Sequence, residues 1–287
     1  MFELSVEPII QPINWPVFSE AGVEVFMKRE DMIHPFISGN KWRKLKYVLM
    51  DAQANKKNTL VSFGGAYSNH LVALACTGAM YGYKTIAYVR GEKVSNHMLG
   101  LCATWGMELR FVSREAYKNK QELFQTHANN DWYFIDEGGK GALAEKGCEE
   151  ILKDVFGFSY VVCAIGTGTT FSGLAKAAIK NSMKADGICV LKGAEGMNAE
   201  IEGSIGHAQS WTIHHQFHGG GYAKTSPELF AFIDMFAQHT GVLLDQVYTA
   251  KMVRAVIELV EQGYYKRGDK VLLIHTGGLL GLLSRYS

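Results

Sequence analysis

Lys41 is the residue of this sequence best suited to covalent chemistry. It follows the turn-prone residues 38–40 and precedes residues 42–53, whose apolar spacing predicts a helix. The positive end of a helix dipole disfavours a charged ammonium, so this position should lower the pKa of the lysine. A neutral amine is a nucleophile that can form an imine with a carbonyl group. The alternative is a solvated basic face, because residues 41–46 are rich in lysine and arginine.

The segment Gly166-Thr167-Gly168-Thr169-Thr170 is suited to holding a phosphate group. It lies between an apolar run, residues 160–165, and a helical pattern over residues 171–181. Backbone N–H groups in such a turn, the helix dipole and the threonine hydroxyls form a cup for a dianion. The dinucleotide fingerprint would need glycine in place of Phe171, and no Walker A lysine follows. The alternative is a glycine turn that only reverses the chain.

A third segment, Gly64-Gly65-Ala66-Tyr67-Ser68-Asn69-His70, joins a predicted strand to a predicted helix. Its amides and the Ser68 hydroxyl could hold a substrate carboxylate. Ser68 could equally be a helix N-cap. No serine lies in a G-x-S-x-G motif, which argues against the nucleophile of an α/β-hydrolase. An imine-forming lysine and a loop for one phosphate are together the minimum equipment of a pyridoxal phosphate enzyme.

His207, His214, His215 and His218 are candidate metal ligands by residue type. The order His-His-x-x-His has no helical setting and no carboxylate set of a known type, and three glycines follow it at once. We therefore expect a loop that holds no metal.

The composition of the 287-residue chain argues against several classes of protein. Its 29 basic residues nearly balance 28 acidic ones, and no basic stripe interleaved with aromatics occurs, so a nucleic-acid partner is not expected. The five cysteines are widely spaced and form no CxxC pair, which indicates buried thiols in a reducing compartment. The first residues do not resemble a signal peptide, and no apolar run is long enough to span a membrane. We therefore expect a cytoplasmic protein that does not contact a membrane.

Apolar runs with β-branched residues alternate with helical patterns, which predicts an α/β fold with a mostly parallel sheet. The predicted strands cover residues 23–28, 59–63, 84–90, 108–112, 160–165, 187–191 and 270–275. The predicted helices cover residues 42–53, 69–81, 97–105, 171–181, 227–240 and 250–262. Glycines cluster at the strand ends, where a ligand is expected. Residues 45–155 should form a small α/β domain inserted into a large cofactor-binding domain of residues 1–44 and 156–287.

The sequence resembles the pyridoxal phosphate family of 1-aminocyclopropane-1-carboxylate deaminase and D-cysteine desulfhydrase, within the tryptophan synthase β-like fold. The resemblance runs nearly end to end and rests on several blocks in the same order. These blocks are Lys28-Arg29-Glu30-Asp31, Gly39-Asn40-Lys41-x-Arg43-Lys44-Leu45, Gly64-Gly65-x-x-Ser68-Asn69-His70, residues 166–170, Gly220-Gly221-Tyr222, residues 244–251 and His275-Thr276-Gly277-Gly278. The resemblance implies a fold type II pyridoxal phosphate enzyme, with two open parallel-sheet lobes, the cofactor in the cleft between them, and a homodimer.

The resemblance also implies roles for particular residues. Lys41 would form the Schiff base with the cofactor, and Asn69 would hydrogen-bond the ring hydroxyl. The other expected cofactor contacts are Gly166, Thr167, Gly168, Thr169, Thr170, Thr249 and Thr276. The expected contacts to a small amino-acid substrate are Ser68, Asn69, His70, Tyr222, Tyr248, Thr276 and Gly277. Catalysis would fall on Lys41, Ser68, Tyr222 and Tyr248, the two phenols donating or accepting a proton.

Two positions separate the branches of this family. The cyclopropane deaminases resemble Val-Tyr-Glu-Gly-Lys and His-Leu-Gly-Gly where this chain has Thr249 and Thr276. A carboxylate beside the pyridine nitrogen makes a strong electron sink, whereas a threonine leaves a weaker one. A weaker sink suffices for β-elimination, because the leaving thiolate carries electrons away. The resemblance therefore favours a D-cysteine desulfhydrase that forms pyruvate, ammonia and sulfide, with 1-aminocyclopropane-1-carboxylate deaminase as the alternative.

Two other classes of protein share some of these features. An NAD-dependent dehydrogenase would have the alternating α/β units, but the third glycine of its fingerprint is missing and residues 189–192 lack its acidic residue. A binding module without activity would hold the cofactor through the loop alone. The chain departs from the family at Thr169, where glycine is more usual, and at Leu280, where proline is. Residues 192–218 are compressed and should border the active site.

Overall fold

The computed structural model describes residues 2, 4, 6–206 and 210–285. Within them the strands are β1 (Ile10–Pro12), β2 (Glu24–Lys28), β3 (Thr59–Gly64), β4 (Lys84–Arg90), β5 (Glu108–Val112), β6 (Trp132–Phe134), β7 (Tyr160–Ile165), β8 (Lys184–Cys189), β9 (Trp211–His214) and β10 (Lys270–Ile274). The α-helices are α1 (Pro16–Ala21), α2 (Asn40–Ala54), α3 (Asn69–Tyr81), α4 (His97–Thr104), α5 (Lys120–His127), α6 (Ala142–Glu149), α7 (Thr169–Lys180), α8 (Met197–Ile205), α9 (Pro227–Thr240) and α10 (Thr249–Glu261).

These strands form two sheets. A six-stranded sheet has the order β1-β2-β10-β7-β8-β9, and a four-stranded sheet has the order β5-β4-β3-β6. Every strand pairing in the described residues is parallel except that of β1 with β2. The predicted α/β class with mostly parallel sheets is therefore confirmed. The four-stranded sheet is built from residues 59–134, inside the predicted small domain, whose limits stay a prediction.

The prediction for β8 was displaced along the chain. The strand covers Lys184–Cys189, whereas residues 187–191 were predicted. The start of β8 was missed because it contains Asp186, and a carboxylate inside an apolar run indicates a loop. In the structure this side chain is 1% exposed and accepts hydrogen bonds from the hydroxyls of Tyr264 (3.1 Å) and Tyr265 (2.9 Å). Tertiary partners far along the chain thus allow a buried acid in a central strand.

Three segments that contain glycine lie at the carboxyl ends of parallel strands. Residues 65–68 follow β3, residues 166–168 follow β7, and residues 275–278 follow β10. Ligands of open parallel sheets bind at this edge, because loops from several strands converge there. The sheets therefore place a candidate site where the glycines cluster.

Candidate active site

The start of α2 is packed directly against the segment that follows β10. Gly39, the residue before α2, has φ +60, and a Cβ there would collide with the carbonyl oxygen of Thr276. A Cβ on Gly277 would likewise collide with Ser38 Oγ. Only glycine tolerates both a left-handed conformation and such close approach. These contacts bring Thr276 and Gly277 beside the turn that carries Lys41.

Lys41 lies in the first turn of α2, which begins at Asn40, two residues earlier than predicted. Burial lowers its pKa well below the ordinary value, and the charge of Lys44 lowers this pKa further. The helix dipole was predicted to lower the pKa of Lys41, whereas burial is the larger cause. No side chain in the described residues forms a hydrogen bond or ion pair with Lys41 Nζ. Lys41 is therefore a partly buried amine whose lowered pKa favours the neutral, nucleophilic form.

Lys44 is a second lysine of this site that the sequence argument did not single out. It is 2% exposed, and its Nζ donates to the carbonyl oxygen of Gly138 at 3.0 Å and to Thr167 Oγ1 at 3.5 Å. Burial lowers its pKa as well. Its spacing of three residues from Lys41 could have identified it, because this spacing places both side chains on one face of the helix. Lys44 brings an amine against the predicted phosphate loop.

The predicted phosphate loop is the tight turn between β7 and α7. The helix begins at Thr169, two residues earlier than predicted, directly after Gly168 with φ +83. The hydroxyl of Thr169 is buried and has no partner in the described residues, whereas Thr170 Oγ1 accepts a 2.8 Å hydrogen bond from Asn40 Nδ2. The first-turn N–H groups of a helix have no partner inside it. An unpaired hydroxyl and free N–H groups at one helix end form a site for an oxyanion.

Ser68, Asn69 and His70 follow β3, and their side chains differ in their hydrogen bonding. Ser68 caps α3, since its Oγ accepts from the N–H of Leu71 at 3.3 Å, and its hydroxyl donates to no partner among the described residues. Asn69 makes no side-chain hydrogen bond within the described residues. The ring of His70 is 2% exposed and is bonded to Ser62 Oγ at 2.9 Å. A substrate contact from residue 70 would therefore use its backbone N–H.

Tyr248 and Tyr222 lie together beside the phosphate loop. The Tyr248 ring carbon Cε1 is 3.0 Å from the position of a Cβ on Gly166, and the Tyr248 hydroxyl donates to the Tyr222 hydroxyl at 3.4 Å. Burial raises the pKa of Tyr248 well above its ordinary value, and Tyr222 and Asp245 raise this pKa further. The raised pKa favours the protonated phenol, which suits a proton donor, and the catalytic role of Tyr248 stays a prediction.

Thr249 is fully buried, and its hydroxyl is engaged by Asp245. It donates to Asp245 Oδ1 at 2.7 Å and accepts from the Asp245 N–H at 2.8 Å. Asp245 in turn lies near Gly278 and Asn69, because a Cβ on Gly278 would be 3.2 Å from Asp245 Cγ and 3.5 Å from Asn69 Nδ2. The segments after β3 and β10 and the start of α10 thus meet at one place.

The compressed stretch of residues 192–218 does border the phosphate loop. A Cβ on Gly168 would be 3.5 Å from Ile201 Cδ1 and 3.8 Å from Met197 Sδ, both on α8. The histidines at its end point to separate partners. His214 Nε2 faces Asp186 at 3.6 Å, and His215 Nε2 bonds Asn198 Oδ1 at 2.8 Å. His207 lies outside the described residues, within which no three His, Cys, Asp or Glu side chains are grouped to hold a metal ion.

Two parallel sheets with a buried lysine, an oxyanion loop and a protonated phenol at their carboxyl edge define a cofactor-dependent α/β enzyme. A family model described as "Pyridoxal-phosphate dependent enzyme" matches residues 11–277. The chain is 31% identical to a "Putative 1-aminocyclopropane-1-carboxylate deaminase" of Thermotoga maritima, over 99% of this chain and 97% of the relative. It is 27% identical to the mitochondrial "Bifunctional D-cysteine desulfhydrase/1-aminocyclopropane-1-carboxylate deaminase" of Arabidopsis thaliana, over 92% of this chain and 74% of the relative.

Among solved structures, the fold is similar to one titled "Crystal Structure Analysis of the ACC deaminase homologue". The TM-score is 0.84 at 24% identity, and the match covers 99% of this chain and 93% of that one. The chain belongs to the pyridoxal phosphate-dependent enzyme family. This assignment confirms the predicted cofactor and fold type, and the NAD-dependent dehydrogenase alternative does not hold. No helix in the described part of the chain is both long and apolar enough to cross a membrane.

The residues present fit pyridoxal phosphate. The orphaned Thr169 hydroxyl, the N-terminus of α7 and Lys44 are donors suited to a phosphate. The amine of Lys41, with its lowered pKa, is chemically suited to covalent attachment of the cofactor. The side-chain amide of Asn69 is unengaged and can donate to a ring substituent.

Proposed function

We propose that this protein catalyses β-elimination on a small amino acid, with D-cysteine as the first candidate and pyruvate, ammonia and sulfide as products. The observation that carries the proposal is the phenol of Tyr248, which keeps its proton beside the phosphate loop of a cleft that also holds the neutral amine of Lys41. An elimination needs an acid and a base, and these two side chains supply them.

The cofactor supplies the electron sink that stabilises negative charge on the α-carbon of an amino acid. The protein supplies orientation and proton transfer. The N-terminus of α3, with the free hydroxyl proton of Ser68 and the N–H groups of its first turn, binds the substrate carboxylate. Binding there fixes the α-carbon relative to Lys41, since α2 and α3 both begin at the carboxyl edge of the sheets.

The proton balance of the reaction assigns one role to each side chain. The C–H bond at the α-carbon breaks, and Lys41 Nζ takes the proton. The C–S bond then breaks, and sulfur leaves with the electron pair. The hydroxyl of Tyr248 donates a proton to the departing sulfur and recovers one through Tyr222, whose side chain is 50% exposed to solvent. Hydrolysis of the released unsaturated amine gives pyruvate and ammonia.

The choice of D-cysteine rests on Thr249 and Thr276. Neither side chain carries a charge, and both differ from the cyclopropane deaminase pattern in the direction of D-cysteine desulfhydrase. The reaction on 1-aminocyclopropane-1-carboxylate is a second candidate. The names of the Thermotoga maritima relative and of the solved structure favour it, and the Arabidopsis thaliana relative is named for both activities.

One experiment separates these reactions. The purified protein, supplied with pyridoxal phosphate, is incubated in parallel with D-cysteine, L-cysteine and 1-aminocyclopropane-1-carboxylate, and keto acid and sulfide are measured. We expect both products from D-cysteine. Keto acid without sulfide, formed only from the cyclopropane, would instead establish the second candidate. Lys41→Ala should abolish either activity, whereas Lys46→Ala, on the same helix and paired with Glu150 at 2.9 Å, should retain it.

We also infer a cytoplasmic homodimer. The five cysteines are buried and free, which suits a reducing compartment. Two-fold dimers are the commonest assemblies of soluble enzymes, and the family resemblance points the same way. Sedimentation equilibrium of the cofactor-loaded protein measures the assembly directly, and a monomer over the working concentration range would contradict it.

A further inference from the structure

We propose that Asp245 is a positioning residue of the active site, which holds the proton donor Tyr248 and the hydroxyl of Thr249 in place. The proposal rests on the proposed role of Tyr248 as proton donor. Asp245 itself would touch neither the substrate nor the reacting atoms.

The carboxylate of Asp245 is saturated by the start of α10. Oδ2 accepts from the N–H groups of Val247 at 2.8 Å and Tyr248 at 2.9 Å. Oδ1 accepts from the N–H of Thr249 at 2.8 Å and from its hydroxyl at 2.7 Å. The side chain is 1% exposed, and Lys251, whose pKa its charge raises, is a cation of the described residues that interacts with it without a direct ion-pair contact. Its charge is therefore stabilised by helix N-terminal N–H groups and one hydroxyl.

These bonds control where the Tyr248 phenol lies. Two of the four groups that Asp245 accepts from flank the Tyr248 Cα, one on the residue itself and one on Thr249. The ring is packed against Gly166 of the phosphate loop, so a rotation of this backbone would move the phenol away from the loop. The negative charge of Asp245 also contributes to the raised pKa of Tyr248.

Asp245 also fixes the hydrogen-bonding role of Thr249. A hydroxyl has one proton and two lone pairs. The proton goes to Asp245 Oδ1, and one lone pair receives the Asp245 N–H. Asp245 therefore engages the Thr249 hydroxyl both as donor and as acceptor, and this fixes the orientation of the side chain.

The competing explanation is a helix cap that contributes only to stability. Asp186 is a matched control, because it is also 1% exposed and also holds tyrosines, at 3.1 Å to the Tyr264 hydroxyl and 2.9 Å to that of Tyr265. It lies in the middle of β8, away from the carboxyl edge of the sheet. Asp245→Asn and Asp186→Asn each remove one buried charge, so both should lower the thermal midpoint.

The test is a double-mutant cycle of Asp245→Asn with Tyr248→Phe. We expect Asp245→Asn alone to lower kcat roughly tenfold or more, with KM changed less than about threefold, because a misplaced donor acts in the transition state. In the Tyr248→Phe background the same substitution should change kcat less than about twofold. An equal loss of kcat in both backgrounds would overturn the proposal, as would a loss of stability with kcat intact.

A second measurement needs no turnover. In the cofactor-free protein, ultraviolet titration of the tyrosines should show one phenol ionising at lower pH in Asp245→Asn, because a nearby negative charge is gone. This change should vanish in Asp245→Asn/Tyr248→Phe, whereas the change caused by Asp186→Asn should persist in the Tyr248→Phe background. If the change persists with Asp245→Asn as well, Asp245 does not act on Tyr248.

The two measurements keep this proposal separate from the proposed reaction. A protein that converts none of the three amino acids but shows the tyrosine coupling would retain the positioning role and lose the reaction. If Asp245→Asn does not fold, Asp245→Glu replaces it, since it keeps the charge but displaces the carboxylate from the N–H groups of Val247 and Tyr248, and it should lower kcat in the Tyr248 protein but not in Tyr248→Phe.

Discussion

Asn40 Nδ2 donates a 2.8 Å hydrogen bond to Thr170 Oγ1, and this bond joins the residue before Lys41 to the first turn of α7. The predicted covalent and phosphate-binding segments of the site, 130 residues apart in the chain, are thereby joined directly. Cofactor binding should depend on this bond, because the aldehyde and the phosphate arm are attached to the same pyridine ring.

The bond between Asn40 and Thr170 predicts a loss of cofactor affinity in Asn40→Ala. One neutral hydrogen bond contributes about 1 kcal/mol, so the Kd for pyridoxal phosphate should rise about fivefold. Absorbance titration of the cofactor-free protein measures this Kd. Asn181→Ala is the control, since Asn181 Nδ2 donates to Leu152 O and Val155 O at 3.0 Å each, outside the cleft, and its loss should leave the Kd unchanged.

A single methyl group added at Gly39 should lower the free energy of unfolding substantially. Gly39→Ala combines a left-handed conformation with a collision against Thr276 O, whereas Gly82, with φ +76, has open space around its Cβ position. Gly82→Ala should therefore lower the free energy of unfolding by about 1 kcal/mol, the left-handed penalty alone. Gly39→Ala should cost at least about 1 kcal/mol more, measured by urea denaturation. Equal costs would mean that the two segments are not in contact.

The amine of Lys44 should strengthen binding of the cofactor phosphate. Lys44→Met should raise the Kd for pyridoxal phosphate roughly 10- to 100-fold, because a hydrogen bond to a charged group contributes about 1.5–3 kcal/mol. The Kd for inorganic phosphate, measured as competition with the cofactor, should rise in parallel. Lys46→Met removes a lysine of the same helix that pairs with Glu150, so an equal loss there would point to the overall charge of α2 instead.

The lowered pKa of Lys41 predicts how stability depends on pH. In the cofactor-free protein the unfolded state binds a proton that the folded state releases, so Lys41 lowers stability at neutral pH. This penalty should shrink as the pH rises toward the ordinary lysine pKa, about 10.4. Lys41→Met should therefore raise the free energy of unfolding at pH 7, by an amount that falls with increasing pH. A constant difference across this range would contradict a buried neutral amine.

Much of the fold could be predicted because its central elements carry their own patterns. The strands β4, β5 and β7 and the helices α3 and α9 have the predicted bounds, since each combines a long apolar pattern with a clear turn or cap. The elements that were missed are short. The helices α1, α5, α6 and α8 have six to nine residues, and the strands β1, β6 and β9 have three or four, too few to show alternation. Their position depends on a neighbouring strand.

The site could be predicted as a set of segments but not as a set of contacts. Lys41 and residues 166–170 were identified by residue type and motif. Lys44 was not, because its partners Gly138 and Thr167 are brought near only by the fold. Asp245 was not, because its hydrogen bonds to residues 247–249 gain a role only where the fold packs Tyr248 against Gly166. The same reason explains His70, whose ring is bonded to Ser62 within the sheet.

Covalent attachment of the cofactor to Lys41 is the central feature of the proposed site. Borohydride reduction of the cofactor-loaded protein fixes pyridoxal phosphate to the lysine it is attached to, and peptide mass spectrometry identifies that lysine. We predict that the label lies on Lys41, and that the Lys41→Ala protein binds the cofactor without being labelled. A label on Lys44 or any other lysine would contradict the arrangement of the site described here.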